Sequence, residues 1–426
     1  MPQFQPLRGL RYTPTAGPLS ELIAPPYDVI STAQQRALEN RNVRNAVRLE
    51  LASGGDERYQ AVADLLAEWT SSGALARDEA PMFYVYEQRF REEGSEYTRR
   101  ALFALVEAQP WDEGAVKPHE YTMSGPKEDR LKLLQATGVQ LSPVFMIARD
   151  RAGMLKQFIT NATTREPDVE GVSIDGDSHR LWVIESGSYE MRQLAPLLAE
   201  SFYIADGHHR YETAVTYRNW RAASEVLAPA HPARFALSAI VAADDAGLVI
   251  RSIHRLIPRS APSDWRSRLE GAFEIEHVKL VRGEASKAAE LTSLLETADA
   301  VGLELEPGQV HILRRREGAP LGGHLPAGMS EEWAAIPPNL LRYGVLEPLW
   351  GINDDDLRAG AVEYSHDIHE VLEYLGARPR RVAFLLNPVS VASVLSLADK
   401  GERMPQKSTF FHPKLGTGLV FHPLNP

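Results

Sequence analysis

The chain has 426 residues, 46 of them basic and 57 acidic, no cysteine and a net charge of −11. Hydrophobic residues at 44% and charged residues at 24% are ordinary for a folded globular protein, so a disordered or fibrous chain is excluded and the length predicts two or three domains. The negative balance disfavours general nucleic-acid binding, and the absence of cysteine excludes a disulfide framework, a thiolate nucleophile and a Cys-ligated metal, which fits a reducing cytoplasm.

The opening MPQFQPLRGLRY lacks the basic-then-apolar pattern of a secretory signal, so a cytoplasmic protein is expected. In LIAPPYDVIS, Pro25 and Pro26 remove two backbone donors and bias Ala24 to an extended form, which predicts a shaped loop. Val62, Leu65, Leu66 and Trp69 recur at helical spacing and predict a packed helix before Gly73. Two aromatic and aliphatic runs, MFYVYEQRF and RRALFALVE, flank the polar REEGSEY and predict a β-hairpin. Leu131, Leu133 and Leu134 before Gly138 predict a helix with a glycine stop. SFYIADGHHRYETAVTYRNW predicts a strand, a tight turn and a helix, and RFALSAIVAADDAGLVIRSIHRLI a second hairpin turning at DDAG. Ile368, Val371, Leu372 and Leu375 form a helical stripe closed by Gly376, with Asp367 and Glu370 in the form of a capping box. The longest uncharged stretch, 382–398, is broken by Asn387, Pro388 and three serines, whereas a membrane-spanning helix needs about 20 mostly apolar residues. It predicts a buried strand, a turn and a helix, and no membrane partner is expected. The fold class is α+β, divided for expectation into regions 1–110, 111–235 and 236–426.

Three segments can carry chemistry. In Asp206-Gly207-His208-His209-Arg210, a helix start presents its free amides and positive dipole end beside two imidazoles and a guanidinium, a combination suited to an anion. Arg210 can grip two phosphate oxygens at once, and His208 or His209 can move a proton near neutral pH. In the segment 119–130, Lys127 and Arg130 can face phosphate, and Glu120, Glu128 or Asp129 can hold Mg²⁺ or take a proton from a hydroxyl. Lys407, Ser408 and Thr409 offer one cation and two hydroxyls as possible substrate contacts. His366 and His369 have a metal-like spacing without an identifiable third ligand, so they are not taken as a site. Neither G-x-x-x-x-G-K-[ST] nor G-x-S-x-G occurs, and no G-x-G-x-x-G follows a strand, which removes the ordinary P-loop, serine-hydrolase and Rossmann readings.

The segments APPYDVIS (24–31), RLEL (48–51), GPKEDRLKLL (125–134), ADGHHRYETA (205–214), SIHRL (252–256), AFLLNP (383–388) and MPQKSTFFHPKLGTGLV (404–420) resemble, over nearly the whole chain, a widespread bacterial and archaeal family of proteins of unknown function. More distantly, the Gly207-His208-His209-Arg210 turn resembles the phosphate-binding G-x-x-R turn of the ParB/sulfiredoxin superfamily, which implies a ParB/sulfiredoxin-like core in 111–235 with additional α/β domains. Sulfiredoxins carry cysteine where this chain has His208, which excludes a sulfinic-acid reductase. ParB proteins add a DNA-binding helix-turn-helix, for which this acidic chain gives no signal. Similarity to the branch of small-molecule kinases acting on free serine implies a phosphotransferase or phosphatase for a small hydroxylated metabolite, with serine or phosphoserine as the specific expectation and ATP or ADP with Mg²⁺ as cofactors. On this resemblance Gly207, His209 and Arg210 hold phosphate, His208 is the acid-base residue and Asp206 orients the turn. Glu120 is the base for the substrate hydroxyl, while Lys127 and Arg130 contact nucleotide or substrate phosphate. The alternative is a nucleotide-responsive binding or regulatory protein of ParB-like type, without turnover.

Overall fold

The computed structural model describes residues 3–122, 124–280, 284–377 and 380–426; Met123, inside the second chemical segment, lies outside them. Two compact units result. The first takes the chain up to Pro118, Thr122–Val249 and Pro413–Pro426, and the second takes His119–Tyr121 and Ile250–His412. The cuts expected after residues 110 and 235 both fall inside the first unit.

The first unit is built on a mixed sheet of nine strands. Its order is Val116–Lys117, Phe202–Asp206, Val144–Ala148, Phe235–Ala242, Ser95–Glu107, Met82–Glu92, Ser178–Glu185 and Val169–Val172, with Phe4–Gln5 also pairing with Ser95–Glu107. The expected hairpin is present: Glu92 pairs with Ser95 across Glu93 and Gly94, whose φ values of 48° and 80° give the two positive-φ positions that a tight two-residue turn requires. The second expected hairpin does not form. Phe235–Ala242 lies between Ser95–Glu107, antiparallel, and Val144–Ala148, parallel, because a strand buried along its whole length gains more from two long partners than from one short neighbour across DDAG.

Phe83, Val85, Leu102, Ala104, Met146, Phe202 and Ile204 from the sheet form one core with Leu155, Phe158 and Ile159 of the helix Met154–Ala162. A second core gathers Val62, Leu66 and Trp69 of the predicted helix, here Glu57–Ser71, around Leu38, Val47, Leu133, Leu141 and Phe421. Leu133 belongs to the helix Ser124–Thr137, which stops at Gly138 as expected.

The second unit carries an antiparallel sheet in the order Phe273–Val278, Val310–Arg315, Ala300–Leu303, Val382–Leu386, His254–Ile257 and Glu363–Ser365. Leu291 and Leu295 of the helix Glu284–Leu295 and Val371 of the helix Ile368–Ala377 pack with Val301, Ile312 and Leu385. The strand Val382–Leu386 and helix Val391–Asp399 follow the sequence reading. Half of the expected capping box is relayed: Asp367 Oδ1 accepts directly from the His369 N–H, whereas Glu370 accepts from the Ser365 hydroxyl, whose Oγ accepts from the Asp367 N–H. Among the described residues, no helix is long and apolar enough to cross a membrane. The chain is α+β.

His179 is buried in the first sheet, where its Nδ1 shares a 2.7 Å hydrogen bond with the Tyr86 hydroxyl. Burial, aided by the charge of Arg99, pushes its pKa down to about 4, and burial holds His254 and His422 at about 4 as well. An unfolded histidine takes its proton near pH 6.5, so the native state is favoured fully above that pH and loses stability as pH falls toward 4. Each such histidine contributes a slope of about 1.4 kcal/mol per pH unit. Urea unfolding between pH 6 and 4.5 is expected to show a slope shallower by about that amount in His179→Gln than in the native sequence.

Candidate functional site

The strand Phe202–Asp206 passes through Gly207 directly into the helix His208–Ala222. Gly207 has φ +90°, and a Cβ there would stand 2.8 Å from Arg210 Nε, so both the backbone conformation and the space favour glycine. Asp206 does not cap this helix with its side chain. Its carboxylate instead receives Arg210 Nη2 at 2.6 Å on Oδ2 and Lys414 Nζ on Oδ1. Burial alone would raise the Asp206 pKa, but Lys414 and Arg210 outweigh it and hold the carboxyl well below the usual range. Burial likewise works against the Arg210 charge and is outweighed by Asp206, Asp28, Tyr27 and Glu50. Arg210 Nη1 also donates to the Pro143 carbonyl.

Lys414 is brought to this turn by a buried scaffold. Arg99, only 1% exposed, donates from Nη2 to Gln88 Oε1 at 2.6 Å and to the Pro413 carbonyl at 2.5 Å, and Gln88 Nε2 donates to the Lys414 carbonyl at 3.3 Å. Burial lowers the Arg99 pKa to about 10, which leaves its guanidinium charged at neutral pH.

Two residues beyond Arg210, Glu212 accepts from Trp111 Nε1 at 2.9 Å, Thr122 Oγ1 at 2.8 Å and Lys127 Nζ at 2.7 Å. These donors overcome burial and lower its pKa. Lys127 and Thr122 thus tie the start of the helix Ser124–Thr137 to Glu212, two residues past the Asp206–Arg210 turn, while His119–Tyr121 of the same sequence segment belong to the second unit. His209 is half-buried; burial lowers its pKa, against Glu212, Asp28 and Asp206 and with Lys127. His208 is buried.

Arg130 and Arg210 line one cavity of about 50 Å³ with Tyr27, Glu50, Thr213 and an apolar wall that includes Leu133 and Leu141. Arg130 stacks over the Tyr27 ring at 4.3 Å, donates twice to Asp129 Oδ2 at 2.5 and 2.9 Å, and reaches Glu50 Oε2 at 3.1 Å. Asp129 also takes Arg58 and the Tyr59 hydroxyl, which leaves it engaged by two arginines. Glu128 is exposed and pairs with Lys132.

Glu120, Lys407, Ser408 and Thr409 belong to the second unit. There Glu120 Oε1 accepts from the Ser408 N–H at 3.3 Å, the Thr409 N–H at 3.2 Å and Thr409 Oγ1 at 3.0 Å, and His119 Nε2 lies 2.8 Å from Thr409 Oγ1. Lys407 is exposed, with its carbonyl bonded by Arg255. No group of three or more His, Asp or Glu side chains placed to hold a metal ion is found among the described residues. Sequence reading gave no role to Lys414, Glu212, Tyr27 or Glu50. All four stand inside quoted motifs, yet only the fold assigns them partners.

A family model described as protein of unknown function (DUF1015) matches residues 4–321. No curated protein matches the chain. Among solved structures, a free serine kinase variant in complex with ADP is similar at 13% identity, covering 72% of this chain and 86% of its own, with a TM-score of 0.36. A conserved hypothetical protein from Pyrococcus furiosus is similar at 13% identity over 72% of this chain and 89% of its own, TM-score 0.31. SbnI with a C-terminal truncation, from Staphylococcus aureus, is similar at 11% identity over 76% and 87%, TM-score 0.34.

Replacing Asp206 with Asn leaves Arg210 and Lys414 together without their anion, which is expected to cost about 3–5 kcal/mol at pH 7. Because the Asp206 pKa is depressed, its stabilisation is present above the unfolded value of about 3.9 and is lost as pH falls through the lower folded value. Urea unfolding of the native sequence and Asp206→Asn should thus differ by a constant amount from pH 7 to about 5, with the gap closing below about pH 4.

Proposed function

The chain belongs to the DUF1015 family, and we propose that it is a phosphotransferase or phosphatase acting on a small hydroxylated metabolite, with serine or phosphoserine as the specific substrate. The observation that carries this reading is the Asp206–Arg210 turn, where a 15-residue helix begins with Arg210 and Lys414 gathered on a single carboxylate. An incoming phosphate offers those two cations more acceptor oxygens than Asp206 does, and the helix-start amides add further donors.

In this reading Gly207, His209 and Arg210 hold the phosphoryl group, and Arg210 stabilises charge that develops on its oxygens during transfer. Lys414 joins them. His208 is the acid-base residue, and His209, whose pKa burial lowers, supplies a second nitrogen able to accept a proton from a substrate hydroxyl. Lys127 and Arg130 lie on the helix Ser124–Thr137 and offer their charge to nucleotide or substrate phosphate. Glu120, the expected base for the substrate hydroxyl, and Lys407, Ser408 and Thr409, the expected substrate contacts, all lie in the second unit. Mg²⁺ would enter on the phosphates of ATP or ADP, the common arrangement where the protein offers no dedicated cage.

Thermal unfolding in the presence of ATP, ADP, AMP, CTP, serine and phosphoserine, with and without Mg²⁺, tests the reading. A ligand at 100 times its Kd adds about 2.7 kcal/mol of stability. Arg210→Ala is expected to abolish the nucleotide or phosphoserine response and to lower turnover by about 10²–10³-fold. Since Arg210 also partners Asp206, His209→Gln serves as the companion variant, with native stability and reduced turnover. A full response in Arg210→Ala would refute the assignment, and stabilisation by nucleotide without product would favour a nucleotide-responsive regulatory protein instead.

A further inference from the structure

Glu50 is a buried acid of the first unit with one carboxylate oxygen bonded and the other without a hydrogen-bond partner. Its side chain is 3% exposed, and it lines both the 50 Å³ cavity and an adjoining one of about 220 Å³ bounded by Arg58, Tyr59, Asp129, Arg130 and Leu133. Oε2 is met by Arg130 at 3.1 Å, but Oε1 is shielded from solvent and has no hydrogen-bond partner. Arg130 directs its two shorter contacts, at 2.5 and 2.9 Å, to Asp129, which leaves Glu50 the less neutralised of the two carboxylates.

A buried carboxylate oxygen without a donor costs free energy until one arrives. The polar groups around the 50 Å³ cavity do not supply it. Thr213 donates to the His209 carbonyl, Gln140 donates to the Phe235 carbonyl, and the Arg210 Nη atoms donate to Pro143 and Asp206. A donor carried in by a ligand would complete the bonding of Glu50 Oε1. A ligand cation suits this place better than a neutral donor, because it completes the neutralisation of Glu50 that Arg130 shares with Asp129. A space of about 50 Å³ holds a group of only a few heavy atoms, which fits a primary ammonium and not a guanidinium-bearing chain. Arg210 on the same cavity complements a negative group on the same small molecule.

We propose that Glu50 is the ammonium receptor of this cavity, so that the small molecule it takes is a zwitterionic amino compound and not a hydroxy acid or polyol. This rests on the phosphotransferase reading for its place in a reaction, and it names the residue that would read the ammonium of the substrate proposed there.

The test compares L-serine with L-glycerate, which has a hydroxyl in place of the ammonium at the same configuration, by isothermal titration of the full chain at pH 7.5. Serine is expected to bind about 10- to 100-fold more tightly, as loss of a hydrogen bond to a charged group implies. In Glu50→Gln, confirmed as folded by circular dichroism, the preference should shrink to within about threefold, the remainder expected of a neutral acceptor. Equal binding of the two compounds by the native protein, a preference that survives in Glu50→Gln, or no binding of serine would each overturn the proposal. The ligand comparison needs no variant, so a misfolded Glu50→Gln does not shelter it. The nucleotide response of Arg210→Ala is measured in parallel. A lost serine preference with an intact, Arg210-dependent nucleotide response defeats the ammonium receptor alone, and the opposite pattern defeats the phosphotransferase reading alone.

Discussion

The constraint on which the first unit depends is the sharing of one buried carboxylate, Asp206, between two cations that lie four and 208 residues along the chain. A buried ion group of this kind is weak evidence of stability, because desolvating three charges offsets much of their attraction. An apolar cluster would hold the same turn as well. What the ionic arrangement adds is a pair of cations held at a helix start, with their positions fixed from behind by Pro143, Gln88 and Arg99. The positive groups are in place before any ligand arrives, so binding does not have to order long flexible side chains.

The acids around this turn differ in how completely they are satisfied, and that difference separates support from recognition. Glu212 has three donors and Asp129 has two arginines and a tyrosine, so neither has much left to offer a ligand. Asp206 is committed to Lys414 and Arg210. Glu50 alone among these four retains a carboxylate oxygen without a partner. Ordered in this way, three carboxylates position cations and the fourth, which lines the cavity, keeps one oxygen unpaired.

Local signals in the sequence translated well where the structure is local. The hairpin at Glu93 and Gly94 and the strand-turn-helix at Gly207 both depend on neighbours within a few residues. The DDAG reading failed because the choice of partner for Phe235–Ala242 is made by strands more than 80 residues away. The chemical motifs behaved similarly. Arg210 and Lys127 were legible as cations near a helix start, but their acceptors were not, since Lys127 meets Glu212 85 residues on. Glu50 was hidden for another reason: in RLEL it reads as the polar position of an amphipathic segment, and its burial comes from a core assembled out of distant helices. The Asp367–Glu370 pair shows a middle case, in which Asp367 accepts directly from the His369 N–H and Glu370 reaches the helix start only through Ser365.

The route of the chain through the first unit has a consequence for the order in which it is made. Pro413–Pro426 belongs to that unit, although the long segment Ile250–His412 of the other unit comes off the ribosome first. The nine-stranded sheet can assemble early, but Asp206 and Arg210 wait for Lys414 until more than 200 further residues have been translated. During that interval the nascent chain holds a buried aspartate with only half of its cationic complement. Closure of the turn therefore reports that the intervening unit has been synthesised, and an interrupted chain is left without the lysine that completes it.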